Sequence, residues 1–264
     1  MTAATPPRPA RKTAVRRAGR PARAADPAAA RAHLLDTATL LFARDGVAST
    51  TLAGIARHAG VTPAMLHYYF SNRDALLDTL VAERLVPLIQ HVWTTPDTAP
   101  APDAAPDEAA NDAAGAARAA ARAAALARIT GLVGRLMGAV AERPWLPPLW
   151  IREVINEGGH LRERVLAHLP RTHLHEFAAL IEQGRAVGLI APGVEPRLVF
   201  ISILGLTMLP LATAPVWRQI WQGDADHLDQ AAIARHAVAL LTGGLFGAAP
   251  APAPAPRRRK GTSS

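Results

Sequence analysis

The stretch from Leu52 to Tyr69 carries the most chemical information in this 264-residue chain. Ile55, Ala59, Val61, Leu66 and Tyr69 are apolar at the spacings where two short helices must pack on each other. Ala56 is small where the helices would cross, since a larger side chain would wedge them apart. Gly60 stands where the connecting turn needs a positive φ, which glycine adopts without a Cβ penalty. Thr62-Pro63 then starts the second helix, with a hydroxyl cap and Pro at the first helical position. The chemistry of such a helix-turn-helix is non-covalent: the N-terminal turn of its second helix meets base edges in the major groove of DNA. Thr62, Ala64, Met65 and His67 should point outward, with Pro63 opening the same turn, while Val61, Leu66 and Phe70 point inward. This outward set is largely apolar, so part of its base contact should be with thymine methyls rather than through paired hydrogen bonds.

Other chemistries find little support. The chain has no Cys, which excludes a disulfide framework, a thiol nucleophile and Cys-ligated zinc or iron–sulfur sites. His168, His173, His175 and Glu176 have the composition of a metal cluster, but His173 and His175 would diverge by about 200° on a helix. We therefore expect no metal site and no cofactor. Only five serines occur, two of them terminal, and neither a phosphate loop nor a Gly-x-Ser-x-Gly elbow is present, so we expect no enzyme activity.

The elements that must position this motif read as helix nearly throughout. Asp26-Pro27 opens a helix that Gly46 ends, with Leu34, Leu35, Ala38, Leu41 and Phe42 on its apolar face. A second helix should run from Thr50 or Thr51 to Gly60 and a third from Pro63 to about Tyr69. Ser71-Asn72-Arg73-Asp74 resembles a capping box opening a fourth through Leu76, Leu77, Leu80 and Leu85. Further helices are expected near 110–142, 147–156, 160–168, 171–188, 195–211 and 225–245, with prolines 170, 196, 210 and 215 at edges or bends. The expected organisation is a basic tail (1–26), a helix-turn-helix domain (27–93), an acidic Pro/Ala linker (94–109), a second helical domain (110–248), and a Pro/Ala-Arg tail (249–264). The fold class is all-α.

The formal charge of +8 sits in the tails. Residues 1–26 hold seven bases, among them Arg16, Arg17, Arg20 and Arg23, against one acid, and residues 257–260 are Arg-Arg-Arg-Lys. Residues 27–93, with five Arg and five acids, are neutral. Basic tails around a neutral motif suggest sequence-tolerant phosphate binding, and the Arg16–Arg23 run (RRAGRPAR) partly resembles the Arg-Gly-Arg-Pro core of an AT-hook, with Ala18 in place of its first Arg. The longest apolar run, 198–212, falls short of the roughly 20 residues of a membrane span, and no apolar core follows the early arginines. We expect a soluble, cytoplasmic protein with no membrane partner.

The stretch TLAGIARHAGVTPAMLHYYFSNRDALLDTL (51–80) closely resembles the DNA-binding region of TetR-type (TetR/AcrR) transcriptional regulators: the Ile-Ala pair, the Gly-Val turn, the aromatic end of the recognition helix, and the Ser-Asn-Arg entry to the next helix. The likeness is strong over about 27–90, and weaker in the C-terminal half. It implies a homodimeric regulator, usually a repressor, that binds a palindromic double-stranded operator and is released by a small ligand. Similar proteins place hydroxyls and aromatics on phosphates, which maps here to Thr50, Thr51, His67, Tyr68 and Arg73. His67 stands where the family usually has Tyr. The dimer interface is implied on the last two long helices, with Leu198, Ile201, Leu204, Gly205 and Met208 on one and Ile233, Ala237, Leu240 and Leu241 on the other. Met137, Trp145, Trp150, Phe177, Met208 and Trp217 are candidate walls of a ligand cavity, with Arg152, Glu153, His160 and His173 as polar handles. An architectural DNA-binding protein acting through its tails without an effector is the competing expectation.

Overall fold

The computed structural model describes residues 26–94, 113–225 and 227–246. The basic tail with Arg16, Arg17, Arg20 and Arg23, most of the acidic linker, and the C-terminal tail lie outside the described residues. Within them the chain is α-helical, with no strand.

The first unit is built on helix α1 (Pro27–Asp45), whose Leu34, Leu35, Ala38, Leu41 and Phe42 form a buried stripe. Asp26 caps it by accepting from the Ala28 N–H at 3.0 Å, and Gly46 turns the chain away at φ 87°. Helices α2 (Leu52–His58) and α3 (Pro63–Tyr69) pack beside it, followed by α4 (Arg73–Leu80). The cap of α4 is Asn72, whose Oδ1 accepts from the Ala75 N–H at 2.8 Å. The expected box from Ser71 to Asp74 is replaced by this single Asn bond.

From α4 the backbone continues through a wide π-turn, Val81–Leu85, into α5 (Val86–Trp93). Pro87 has no N–H to offer the carbonyl one turn back, so an ordinary α-turn is incomplete there. Arg84 donates instead to the Glu83 carbonyl at 3.3 Å.

The second unit begins with α6 (Ala113–Glu142), which buries Ala125, Ile129, Leu132, Val133, Leu136 and Val140 on one side against α12, α5 and α9. By length and composition its Arg118–Glu142 stretch could cross a membrane. That corrects the sequence-based expectation, which weighed only 198–212. Alanine supplies much of the apolar character, and the buried stripe is that of a helix packed in a protein core. Helix α7 (Leu146–Trp150) runs into a second π-turn, Ile151–Ile155, then come α8 (Arg162–Leu166) and α9 (Arg171–Ala186). Helix α10 (Pro196–Ala212) ends in a 68° bend into α11 (Ala214–Trp221), and α12 (Gln230–Phe246) closes the core. Helix α11 goes beyond the helices expected from sequence: Pro215 is no mere edge or bend but sits in the first turn of a separate helix. Trp217 ties the bend by donating its indole N–H to the Pro210 carbonyl at 2.6 Å.

Candidate nucleic-acid interface

The helix-turn-helix forms as its residue types require. Ile55, Ala56, Leu66 and Phe70 are buried, and Gly60 has φ 70°. The Val61 N–H closes the turn on the Ala56 carbonyl at 2.9 Å. Thr51 caps α2 by accepting from the Gly54 N–H, and Thr62 caps α3 by accepting from the Met65 N–H. Thr62, Pro63, Ala64, His67 and Tyr68 are exposed, with Tyr68 at 82%, so they form one free face of α3. Its edge-to-face partner Tyr69, 5.1 Å away between centroids, is half-buried against the core.

Three of the expected contact residues are placed differently. Met65 is half-buried rather than outward. Thr50 is buried, and its hydroxyl donates to the Gly46 carbonyl at 2.7 Å, because the α1–α2 turn needs that bond to close. Arg73 is half-buried, with Nε and Nη2 hidden and without a hydrogen-bond partner among the described residues.

The second unit holds this motif from behind. Arg152 donates to the Arg44 carbonyl at 2.7 Å. The adjacent Glu153, only 4% exposed, accepts the Val47 N–H at 2.8 Å on Oε1 and the His160 N–H at 3.1 Å on Oε2. Glycine is required at 46, where a Cβ would meet the Arg152 side chain at 3.2 Å in a backbone already at positive φ. Arg164 on α8 reaches Asp78 at 2.6 Å and Asp74 at 2.8 Å on α4. These bonds hold the Arg164 guanidinium above its ordinary pKa, so its charge is fixed.

Behind this clasp lies a half-open, mostly apolar cavity of about 560 Å³. Its walls are Trp150, Val154 and Ile155 of the α7 end, Arg162, Val165 and Leu166 of α8, Leu174, His175, Phe177 and Ala178 of α9, and Pro196, Arg197, Phe200, Ile201 and Leu204 of α10. A smaller apolar chamber of about 60 Å³, reaching Trp93 and Met208, shares Trp150, Leu169, Phe200 and Leu204 with it. Of the expected cavity residues, Trp150, Phe177 and Met208 line these spaces. Met137 is buried in the core and Trp217 is bonded at the α10–α11 bend. Trp145 lines a polar cleft with Asp36 and Arg143, Arg152 serves the clasp, and His173 stands 6.3 Å from Trp93 outside the lining. The sequence reading missed Leu174, Ala178, Phe200 and Leu204 as cavity walls, although their spacing by four residues puts each pair on a single face of α9 or α10.

Two family models match this chain: bacterial regulatory proteins of the tetR family over residues 34–80, and a tetracyclin repressor-like C-terminal domain over residues 126–240. Similar curated proteins include the nicotine-responsive transcriptional repressor HdnoR of Paenarthrobacter nicotinovorans, 37% identical over 62 residues, 24% of this chain and 32% of that protein. The transcriptional regulator TtgR of Pseudomonas putida is 44% identical over 54 residues, 19% of this chain and 26% of that protein. The chain thus spans about a quarter to a third of the relatives it matches. Among solved structures, the ketosteroid transcriptional regulator KstR2 of Mycobacterium tuberculosis has TM-score 0.56 at 18% identity, covering 82% of this chain and 94% of that one. The fatty acid degradation regulator FadR of Bacillus halodurans gives 0.52 at 18% identity, covering 81% and 95%. A packed helix-turn-helix, a helical domain clasping it from behind, and family matches in both halves lead to one conclusion: this chain belongs to the TetR family of transcriptional regulators, with an N-terminal DNA-binding domain and a C-terminal helical domain.

Proposed function

We propose that this chain represses transcription as a homodimer on a palindromic operator and releases DNA when a small, largely apolar ligand enters the cavity behind α7. The observation that carries this reading is the shared backbone of the cavity and the clasp. Val154 and Ile155 line the cavity, while their neighbours Arg152 and Glu153 hold the α1–α2 turn. Arg162 lines the cavity and donates to the Val154 carbonyl, while Arg164 holds α4. A ligand that pushes the Ile151–Ile155 turn outward therefore strains the clasp that orients α3. It shifts the population only by its differential affinity for the two arrangements.

On DNA, Thr62, Pro63, Ala64 and His67 face bases, Met65 lends only its exposed part, and Thr51 and Tyr68 face phosphates. Arg73, at the start of α4, reaches a phosphate once its guanidinium turns outward. Thr50 supports the turn from inside. The basic residues of 1–26 add salt-sensitive affinity without sequence preference. Residues 27–93 are the DNA-binding unit and 110–248 the ligand and dimer unit of a cytoplasmic, non-enzymatic regulator.

The dimer face is narrower than the sequence suggests. Leu198, Ile201 and Leu209 of α10 and Leu240 of α12 are exposed, whereas Met208, Ile233, Ala237 and Leu241 are buried in the chain's own core. A two-fold packing on the exposed set places recognition helices one DNA turn apart, about 34–36 Å.

The test is selection of bound sites from random DNA, followed by ligand-driven release. A single palindrome should emerge, and an apolar ligand should lower operator affinity without turnover. Binding of all duplexes alike would instead describe an architectural protein.

A further inference from the structure

A second cleft, of about 700 Å³, lies between the first half of α6, the loop joining α9 to α10, and the end of α12. It shares no lining residue with the cavity described above. Arg118, Arg122 and Arg185 line it, together with an apolar wall that includes Leu189, Pro192 and Phe246, and among the described residues no carboxylate is in the lining. Arg118 donates to the Gly188 carbonyl at 2.7 Å, and the Arg122 guanidinium stands 5.4 Å over the Phe246 ring. Arg185 binds the Val194 carbonyl at 3.3 Å and pairs with Glu182 at 2.7 Å.

The loop is held in place. Gly188 adopts φ 67° to present its carbonyl to Arg118, and the Ala191 N–H donates to the Leu245 carbonyl of α12 at 2.9 Å. By contrast, Arg31, Arg84 and Arg164 are each neutralised by a carboxylate on another element. Among the described residues, three cations thus meet around one cleft with a single acid.

We propose that this cleft is a second binding site, for an amphipathic oxyanion: a phosphate or carboxylate gripped by Arg118 and Arg122, with its apolar tail on Leu189, Pro192 and Phe246. Guanidinium groups bind both oxyanions through charge-assisted hydrogen bonds, and neutral carbonyl and ring partners leave their charge available. The site is independent of the proposed operator and effector binding.

Calorimetric titration of the full chain with dodecyl phosphate tests it. One site per chain is expected, and R118Q/R122Q should weaken binding at least about tenfold with an unchanged circular dichroism spectrum, since both side chains are exposed. Ala178→Trp, which fills the other cavity, should leave this binding in place. Equal binding of dodecanol, unaltered affinity in R118Q/R122Q, or loss of binding in A178W would each overturn the proposal. Carboxylates within residues 97–112 (Asp97, Asp103, Asp107, Glu108 and Asp112) are a second source of the same chemistry. Tighter probe binding after their replacement by Asn or Gln assigns the cleft to the chain's own acids, and unchanged binding assigns it to a free amphiphile. Both outcomes uphold an oxyanion site read by Arg118 and Arg122.

Discussion

The α1–α4 unit and the α7–α10 region bury apolar side chains in different ways. In the first, Leu34, Leu35, Phe42, Ile55, Leu66 and Phe70 are sealed, and polar work is left to an exposed helix face. In the second, Leu174, Phe200 and Leu204 stop short of closing and leave two adjoining chambers, beside the buried indole N–H of Trp150, which has no partner among the described residues. A rigid reading head needs one geometry, whereas a ligand-responsive region keeps unfilled volume at some cost in stability. The two share one apolar core, and the clasp at Glu153 and the pair at Arg164 carry the polar part of their coupling.

The largest expected effect tests the contrast in packing directly. Leu66→Ala should cost about 2–5 kcal/mol in urea unfolding, as for a sealed core leucine, while Leu174→Ala on the cavity wall should cost about 1 kcal/mol or less. Equal costs would mean that the second region is packed as tightly as the first. Next comes the clasp: Glu153→Ala strands the Val47 and His160 N–H groups and should cost about 2–3 kcal/mol. It should also weaken operator binding, and Glu153→Gln, which retains an acceptor, should recover most of both.

Gly60→Ala should lower stability by about 1–2 kcal/mol through its positive φ alone, because among the described residues no atom stands within 4 Å of a Cβ there. A larger loss would show that the turn moves. Tyr68→Ala should leave stability within about 0.5 kcal/mol and reduce operator affinity in a mobility-shift titration.

The smallest effect concerns pH. The Arg31 guanidinium, bonded to Glu83 at 2.7 Å, holds that carboxyl below its ordinary value of 4.5. A depressed carboxylate contributes stability above the unfolded-state pKa and loses it as pH falls through the folded one. With both side chains over a third exposed, the contribution should stay below about 1 kcal/mol. Glu83→Gln should flatten that part of the acid-unfolding profile, and an unchanged profile would remove the pair from the account.

Much of the first region was legible because its signals are local. A cap at Thr62, a positive-φ glycine at 60 and an apolar period through Ile55 and Leu66 act within a few residues of one another. Thr50 and Arg73 were placed differently because a hydroxyl or guanidinium near a helix start can turn either way, and the surrounding chain decides which. In the second region helix positions were mostly legible but lining was not. Trp217 and Met137 have the bulk and polarity of cavity walls, yet a proline carbonyl takes one and the core takes the other.

The sequence by itself determined the all-α class, the helix-turn-helix and its outward face except at Met65, since each rests on dihedral preference and short-range periodicity. Only the tertiary structure decided that Glu153 faces the α1–α2 turn while Val154 faces a cavity, and that Arg118, Arg122 and Arg185 share a cleft. These depend on how helices distant in the chain are brought together, through π-turns and bends whose outcome is set by packing rather than by local propensity.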